Sequence, residues 1–175
     1  NRKLGMIKRG FKNKTRAVLL PLYKAMVRPH LDYCVQAWRP HLRKDIIKLE
    51  KVQRRATKMM EGLEGCSYME RLSILGLTTL ETRFVRADLI EVYKIFNGLD
   101  RLDARRFFVM DEGVTRGHSY KLFKRGFRLD VGKHKFSNRV CKEWNLLTEE
   151  VVKAPSLNAF TAKLDHHMRN VRGFV

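Results

Sequence analysis

Residues 48–60 read KLEKVQRRATKMM. Five cations and one acid, Glu50, share these thirteen positions. On a 3.6-residue period the surrounding segment sorts into two faces. Leu42, Ile46, Leu49, Val52, Ala56 and Met60 form the apolar one. Lys44, Lys48, Lys51, Arg55 and Lys58 follow at spacings of four, three, four and three, as a stripe roughly opposite. Solvated helix faces ordinarily mix charge signs, because i,i+4 pairs of opposite sign attract and like pairs repel. No acid lies within this stripe. A helix over Arg43–Met60 that meets phosphates with its outer face accounts for it better than solvation does. Such contacts position a nucleic acid without reading its sequence.

The charge balance points the same way. Lys and Arg number 37 against 18 acids, a net charge of +19 over 175 residues. Residues 1–60 hold 17 of the cations and only Asp32, Asp45 and Glu50, a charge of +14; the remainder carries +5. Self-repulsion of this size is relieved by a polyanionic partner. A 44% hydrophobic content is enough to bury a core, and the length fits one domain or two small ones. Cys34, Cys66 and Cys141 are odd in number and scattered, which argues against a disulfide framework and suits a reducing, intracellular compartment, nuclear or cytoplasmic. No apolar run is long enough to span a bilayer, so no membrane partner is expected. The chain starts at Asn1 without an initiator Met and reads as a piece of a longer protein.

Working outward, residues 1–14 are basic, with Leu4, Met6, Ile7 and Phe11 as anchors. A helix is predicted from Thr15, its N-cap, to Val27, kinked or restarted at Pro21. Pro29 opens a second helix through HLDYCVQAW that ends before Pro40. After Gly62 and Gly65, SYMERLSIL predicts a short helix stopping at Gly76. Thr78 and Glu81 match a capping box for a helix to about Asn97, with Gly98 at its end. Phe107–Met110 reads as a short strand or extended loop, and Tyr120–Val131 as a hairpin turning near Gly126. Two helices close the chain, one with Phe136, Val140 and Trp144 in register, the other capped by Ser156 and carrying Leu157, Phe160, Leu164 and Met168. The fold class is mainly α, with a helical bundle over 1–98 and a smaller, mostly helical extension over 99–175.

Cations and aromatics interleave in YKLFKRGFR, residues 120–128. Bases could stack on Tyr120, Phe123 or Phe127 while Lys121, Lys124, Arg125 and Arg128 meet phosphates. A hairpin that buries its aromatics is the preferred reading, because strand aromatics usually face a core. His30 and Cys34 stand at i,i+4, with His41 and Cys66 elsewhere, but no CxxC or HxxxH pair accompanies them. Structural cysteines and surface histidines fit better than a metal site, and His166–His167 fits a surface pair. The chain has no phosphate-binding glycine loop, no GxSxG, no HExxH and no Asp-Asp pair for two-metal chemistry. Asp111-Glu112 and Glu149-Glu150 suit solvation or capping. No catalytic residue, cofactor or metal is assigned to this chain.

Residues 22–60, LYKAMVRPHLDYCVQAWRPHLRKDIIKLEKVQRRATKMM, resemble the stretch that follows the catalytic core in reverse transcriptases of non-LTR retrotransposons, the LINE elements of the chicken-repeat and jockey-like group. The similarity continues through YMERLSILGLTTLETRFVRADLIEVYKIFNGLD, TRGHSYKLFKR, FSNRVCKEWNLLTEEVV and APSLNAFTAKLD. It covers nearly the whole chain. The resemblance implies a helical thumb with a C-terminal extension, holding RNA, DNA or an RNA–DNA hybrid beside the fingers and palm of the same polymerase. In this family the palm carries the Mg-binding aspartates, and no such motif stands in this chain. Carried over onto this sequence, the matching cations are Lys48, Lys51, Arg54, Arg55, Lys58 and Arg28. Arg9, Lys12, Lys14 and Arg16 are expected to assist. The alternative is an exapted helical module that binds protein through exposed apolar surface.

Overall fold

The computed structural model describes residues 1–111 and 117–172, with side chains described through residue 169. Glu112, Thr115 and Arg116, which enter the sequence arguments, lie outside the described residues. The chain is mainly helical. In order come α1 (Arg2–Gly10), α2 (Arg16–Leu22) with a π-helical continuation (Tyr23–Val27), α3 (Pro29–Asp32), α4 (Val35–Trp38), α5 (Arg43–Lys58), α6 (Tyr68–Leu75) and α7 (Leu80–Phe96). Then follow α8 (Ala104–Phe107), β1 (Val109–Met110), β2 (Leu122–Phe123), α9 (Asp130–His134), α10 (Phe136–Arg139), α11 (Cys141–Asn145), α12 (Glu149–Val152) and α13 (Leu157–Arg172). Packing divides the chain into one unit over residues 1–84 and a second from 85 onward. The division falls inside α7 and not after Gly98, because α7 from Val85 on belongs to the second core through Val85, Leu89, Val92, Tyr93 and Ile95.

In the first unit, α2 starts where the sequence places it, but Thr15 makes no side-chain cap bond. Pro21 has no N–H to donate to the helix ladder. The ladder then widens, with the Arg28 N–H donating to the Tyr23 carbonyl at 2.9 Å, five residues back. The helix expected over 29–38 is two short pieces. Between them Cys34 has φ 51, the one non-glycine residue in the left-handed region among the described residues. Trp38 Nε1 donates to the Tyr33 carbonyl at 2.7 Å and satisfies a group freed by the break. α6 carries the full capping box: Ser67 Oγ accepts from the Glu70 N–H, and Glu70 Oε2 accepts from the Ser67 N–H at 2.6 Å. Gly76, at φ 58, ends it by letting the Leu77 N–H reach back to the Leu72 carbonyl at 2.9 Å.

The cap of α7 is shifted from the expected pair. Thr79 Oγ1 accepts from the Thr82 N–H at 3.2 Å, while Glu81 points to Arg43 at 3.1 Å. Thr78 is held differently, its carbonyl accepting from Gln53 Nε2 at 2.9 Å.

In the second unit, Trp144, Tyr93, Phe160, Leu122 and Leu164 form the deepest layer. Tyr93 stacks on Phe160 at 4.2 Å between centroids, and Phe96 on Trp144 at 5.7 Å. α10 and α11 replace the single helix expected over 136–144, yet Val140 and Trp144 keep the buried face. Ser156 Oγ caps α13 through the Ala159 N–H at 3.2 Å. The hairpin differs from the expected one. β2 pairs antiparallel with β1, Val109 opposite Phe123 and Met110 opposite Leu122, and the chain around Gly126 is irregular. What holds β2 is α11. Asn145 exchanges two hydrogen bonds with the Leu122 backbone, at 2.8 and 2.9 Å, and Trp144 Nε1 donates to the Tyr120 carbonyl at 2.8 Å.

His118 lies buried beside this seam. Its Nε2 faces the Trp144 carbonyl at 3.0 Å and its Nδ1 accepts from the Tyr120 N–H at 3.2 Å, so the ring sits as the neutral Nε2–H tautomer. Burial pushes its pKa below the ordinary 6.5, Lys121 adds to this, and the Trp144 carbonyl and Glu149 oppose it. A depressed histidine gives stability that is complete above the unfolded-state pKa and declines as pH falls from there through the folded value, because the unfolded chain takes up a proton the fold resists. Urea midpoints should therefore drop between about pH 7 and pH 5. In His118→Gln that part of the drop should vanish; an unchanged pH slope would remove His118 as its source.

Candidate nucleic-acid interface

α5 has the two faces read from its spacing, and a third between them. Val52, Ala56 and Met60 are buried, but so are Glu50, Gln53 and Thr57, while Leu42 is exposed and Leu49 half-buried. Tyr23 OH donates to Gln53 Oε1 at 2.6 Å, and Gln53 Nε2 donates to Tyr68 OH at 2.9 Å. Tyr68 OH in turn donates to Glu50 Oε1, and the Leu80 N–H donates to Glu50 Oε2 at 3.0 Å. Burial pushes the Glu50 carboxyl up, and these two donors offset part of that shift. Burial likewise raises Tyr23 and Tyr68, so both hydroxyls stay protonated donors. One layer on, Thr57 Oγ1 accepts from Arg71 Nε at 3.2 Å. The network orients α5 by polar contacts to the segments before and after it. Its outer stripe is thus held in one rotational setting.

Lys44, Lys48, Lys51, Arg54, Arg55 and Lys58 are all exposed. Lys44, Lys51 and Lys58 have no carboxylate at ion-pair distance among the described residues. Lys48 departs from the acid-free stripe, because Asp45 lies 3.1 Å from its Nζ. The Arg54 guanidinium lies 4.2 Å over the Tyr68 ring, on the flank of the buried network. Arg28 is half-buried, and burial with nearby Arg83 lowers its pKa against the pull of Asp32. Asp32 itself is held by Arg83 at 2.6 Å. Lys12 is exposed and Lys14 half-buried; the Lys14 backbone is joined to Glu61 by the Glu61 N–H at 3.1 Å. Arg16 Nη1 donates to the Ile74 carbonyl at 3.2 Å. The outward group is therefore Lys44, Lys48, Lys51, Arg55 and Lys58, of which Arg55 also donates to the Lys51 carbonyl and the Asn1 side chain; Arg16 and Arg54 are exposed but bound to the fold by one contact each, and Arg28 is half-buried.

Lys8 is a member the sequence reading missed. A cavity of about 360 Å³ lies between α1 and the last turn of α5, lined by Asn1, Leu4, Gly5, Lys8, Arg55, Lys58 and Met59. Leu4 and Ile7 bury the inner face of α1, and this turns Lys8 toward the stripe. The amphipathic pattern of residues 2–10 was the available signal, but forty-seven residues separate Lys8 from Arg55 and only the packing joins them.

The basic, aromatic stretch of the second unit contradicts the buried-hairpin reading. Tyr120, Phe123 and Phe127 are 42%, 54% and 44% exposed. Lys124, Arg125 and Arg128 are exposed with them, and Lys121 is half-buried. The two-residue strand leaves only Leu122 for the core.

No group of three or more potential metal ligands is brought together among the described residues. Cys34 is exposed, not structural; Cys66 is half-buried and Cys141 buried. Among the described residues no helix is long and apolar enough to cross a membrane. Comparison of the chain with protein-family models, with curated proteins and with solved structures gave no match.

Proposed function

We propose that this chain is the thumb and C-terminal module of a LINE-type RNA-directed DNA polymerase, and that its first unit clamps a nucleic-acid duplex by the phosphate backbone, without sequence readout. The fingers and palm of that polymerase, with its Mg ions, would lie outside this chain, and the duplex would be RNA, DNA or a hybrid. The observation that carries the clamp is the exposed cationic stripe of α5, held in a fixed setting by the buried Glu50–Gln53–Tyr68 network. From Lys44 to Lys58 it runs about 21 Å at the α-helical rise, or roughly six base-pair steps. The polymerase context rests on the sequence resemblance.

The test is hybrid-duplex binding by anisotropy across a salt series. Reversing Lys51, Arg55 and Lys58 to Glu should weaken binding at least tenfold at about 0.1 M salt. It should also make the salt slope shallower by roughly 2–3, the counterions of three phosphates. Equal binding and an equal slope would end this reading.

A cavity of about 480 Å³ lined by Ile46, Ile47 and Met69 beside Arg43, Lys51 and Arg54 favours a second reading, a protein-interaction module. Self-association or partner binding that survives without nucleic acid, together with weak duplex binding, would select it.

A further inference from the structure

We infer that the second unit carries a separate surface for single-stranded nucleic acid, in which Phe123 and Phe127 stack on bases and Lys124, Arg125 and Arg128 meet phosphates. Exposed aromatic rings next to exposed cations fit this ligand by both halves of its chemistry. Each base has a π-face, and each linkage has a charge.

The backbone that carries the rings is held in place. Phe123 stands opposite Val109 in the β-ladder, and its neighbour Leu122 is anchored on both backbone groups by Asn145. Phe127 packs on the backbone of α9: a Cβ added at Gly132 would come 2.9 Å from the Phe127 Cβ, so only glycine permits this approach. Gly132 is fixed in turn, its N–H donating to the Leu129 carbonyl at 2.8 Å and its carbonyl accepting from Asn138 Nδ2 at 2.8 Å. Lys124 Nζ lies 5.8 Å from the centre of the Phe127 ring. Among the described residues no carboxylate pairs with Lys124, Arg125 or Arg128. A backbone ordered before binding has less freedom to lose on contact. Sequence-tolerant stacking beside cations is how single strands are held, and an intact duplex does not offer its base faces.

The experiment uses the whole chain and three probes: oligo(dT), an abasic strand of the same length, and phosphatidylserine vesicles. Oligo(dT) should bind at least tenfold tighter than the abasic strand. Phe123→Ala with Phe127→Ala should abolish that preference, with a loss on the order of tenfold per ring. Phe123→Leu with Phe127→Leu keeps apolar area but removes the π-faces, and should lose the preference equally. Both pairs should leave hybrid-duplex binding and the unfolding midpoint unchanged. Equal affinity for abasic and base-bearing strands would overturn the proposal. So would Leu variants that keep full binding, or vesicle binding that competes with and exceeds oligo(dT). The α5 clamp is read on the duplex and this surface on the base-dependent part of single-strand binding, so either can fail alone.

Discussion

Arg139→Met is expected to destabilise the second unit by about 3–5 kcal/mol, the usual loss when one partner of a buried ion pair is removed. Arg139 on α10 holds Asp88 on α7 through two hydrogen bonds, Nε and Nη2 each at 2.9 Å from a carboxylate oxygen. The Asp88 side chain is 2% exposed and that of Arg139 12%. Met fills similar space but leaves the carboxylate in a site that water barely reaches, without its guanidinium. Arg139 Nη1 also donates to the His134 carbonyl at 3.3 Å, so the end of α9 loosens too. Urea unfolding reads the loss directly. Arg139→Met with Asp88→Leu should recover most of it, because removing both charges removes the burial penalty with the attraction. A loss under about 1 kcal/mol would place the pair with solvent-exposed ion pairs.

Gln53→Leu should cost about 2–4 kcal/mol in the first unit, from partners left without hydrogen bonds in a dry site. The Gln53 amide is fully buried and joins Tyr23 OH, Tyr68 OH and the Thr78 carbonyl, three positions far apart in sequence. Leu matches the volume closely enough that packing changes little, so the loss reports the polar contacts. One residue-pair away, exposed Lys51→Ala should stay within about 0.5 kcal/mol. Because the network sets the rotation of α5, Gln53→Leu should also weaken duplex binding while every cation of the stripe is still present. Full stability in Gln53→Leu would show that apolar packing alone orients the helix.

The two positions mark how far the sequence could be read. The apolar and cationic faces of 43–60 were legible because both repeat with the helix period. Gln53 falls between them, and a lone polar residue looks like a boundary position until Tyr23 and Tyr68 are brought to it. The Asp88–Arg139 pair is hidden in the same way, because its members stand 51 positions apart. The capping box at Ser67–Glu70 lies where the short helix was expected to begin, since a cap is local chemistry. The Thr78–Glu81 pair offered the same pattern and was not used, because Gln53 holds the Thr78 carbonyl and Thr79 takes the cap.

The stretch 120–128 was misread as a buried hairpin, and the reason is physical. Alternation shows which residues could share a face but not whether a second layer covers it. Here α11 holds the backbone of Tyr120 and Leu122 through Trp144 and Asn145 and leaves the rings of Phe123 and Phe127 exposed. The sequence by itself determined what period and local chemistry can determine: a mainly helical chain, the stripe of α5, the stops at Gly76 and Gly98, and the cap at Ser156. The tertiary structure decided what depends on distant partners: the buried polar face of α5, the contacts of Arg16 and Arg54 and the partial burial of Arg28, the approach of Lys8 to Arg55, and the exposure of the aromatics. Helix periodicity is written in neighbours three and four residues apart, whereas burial and pairing are set by segments that meet only when the chain has folded.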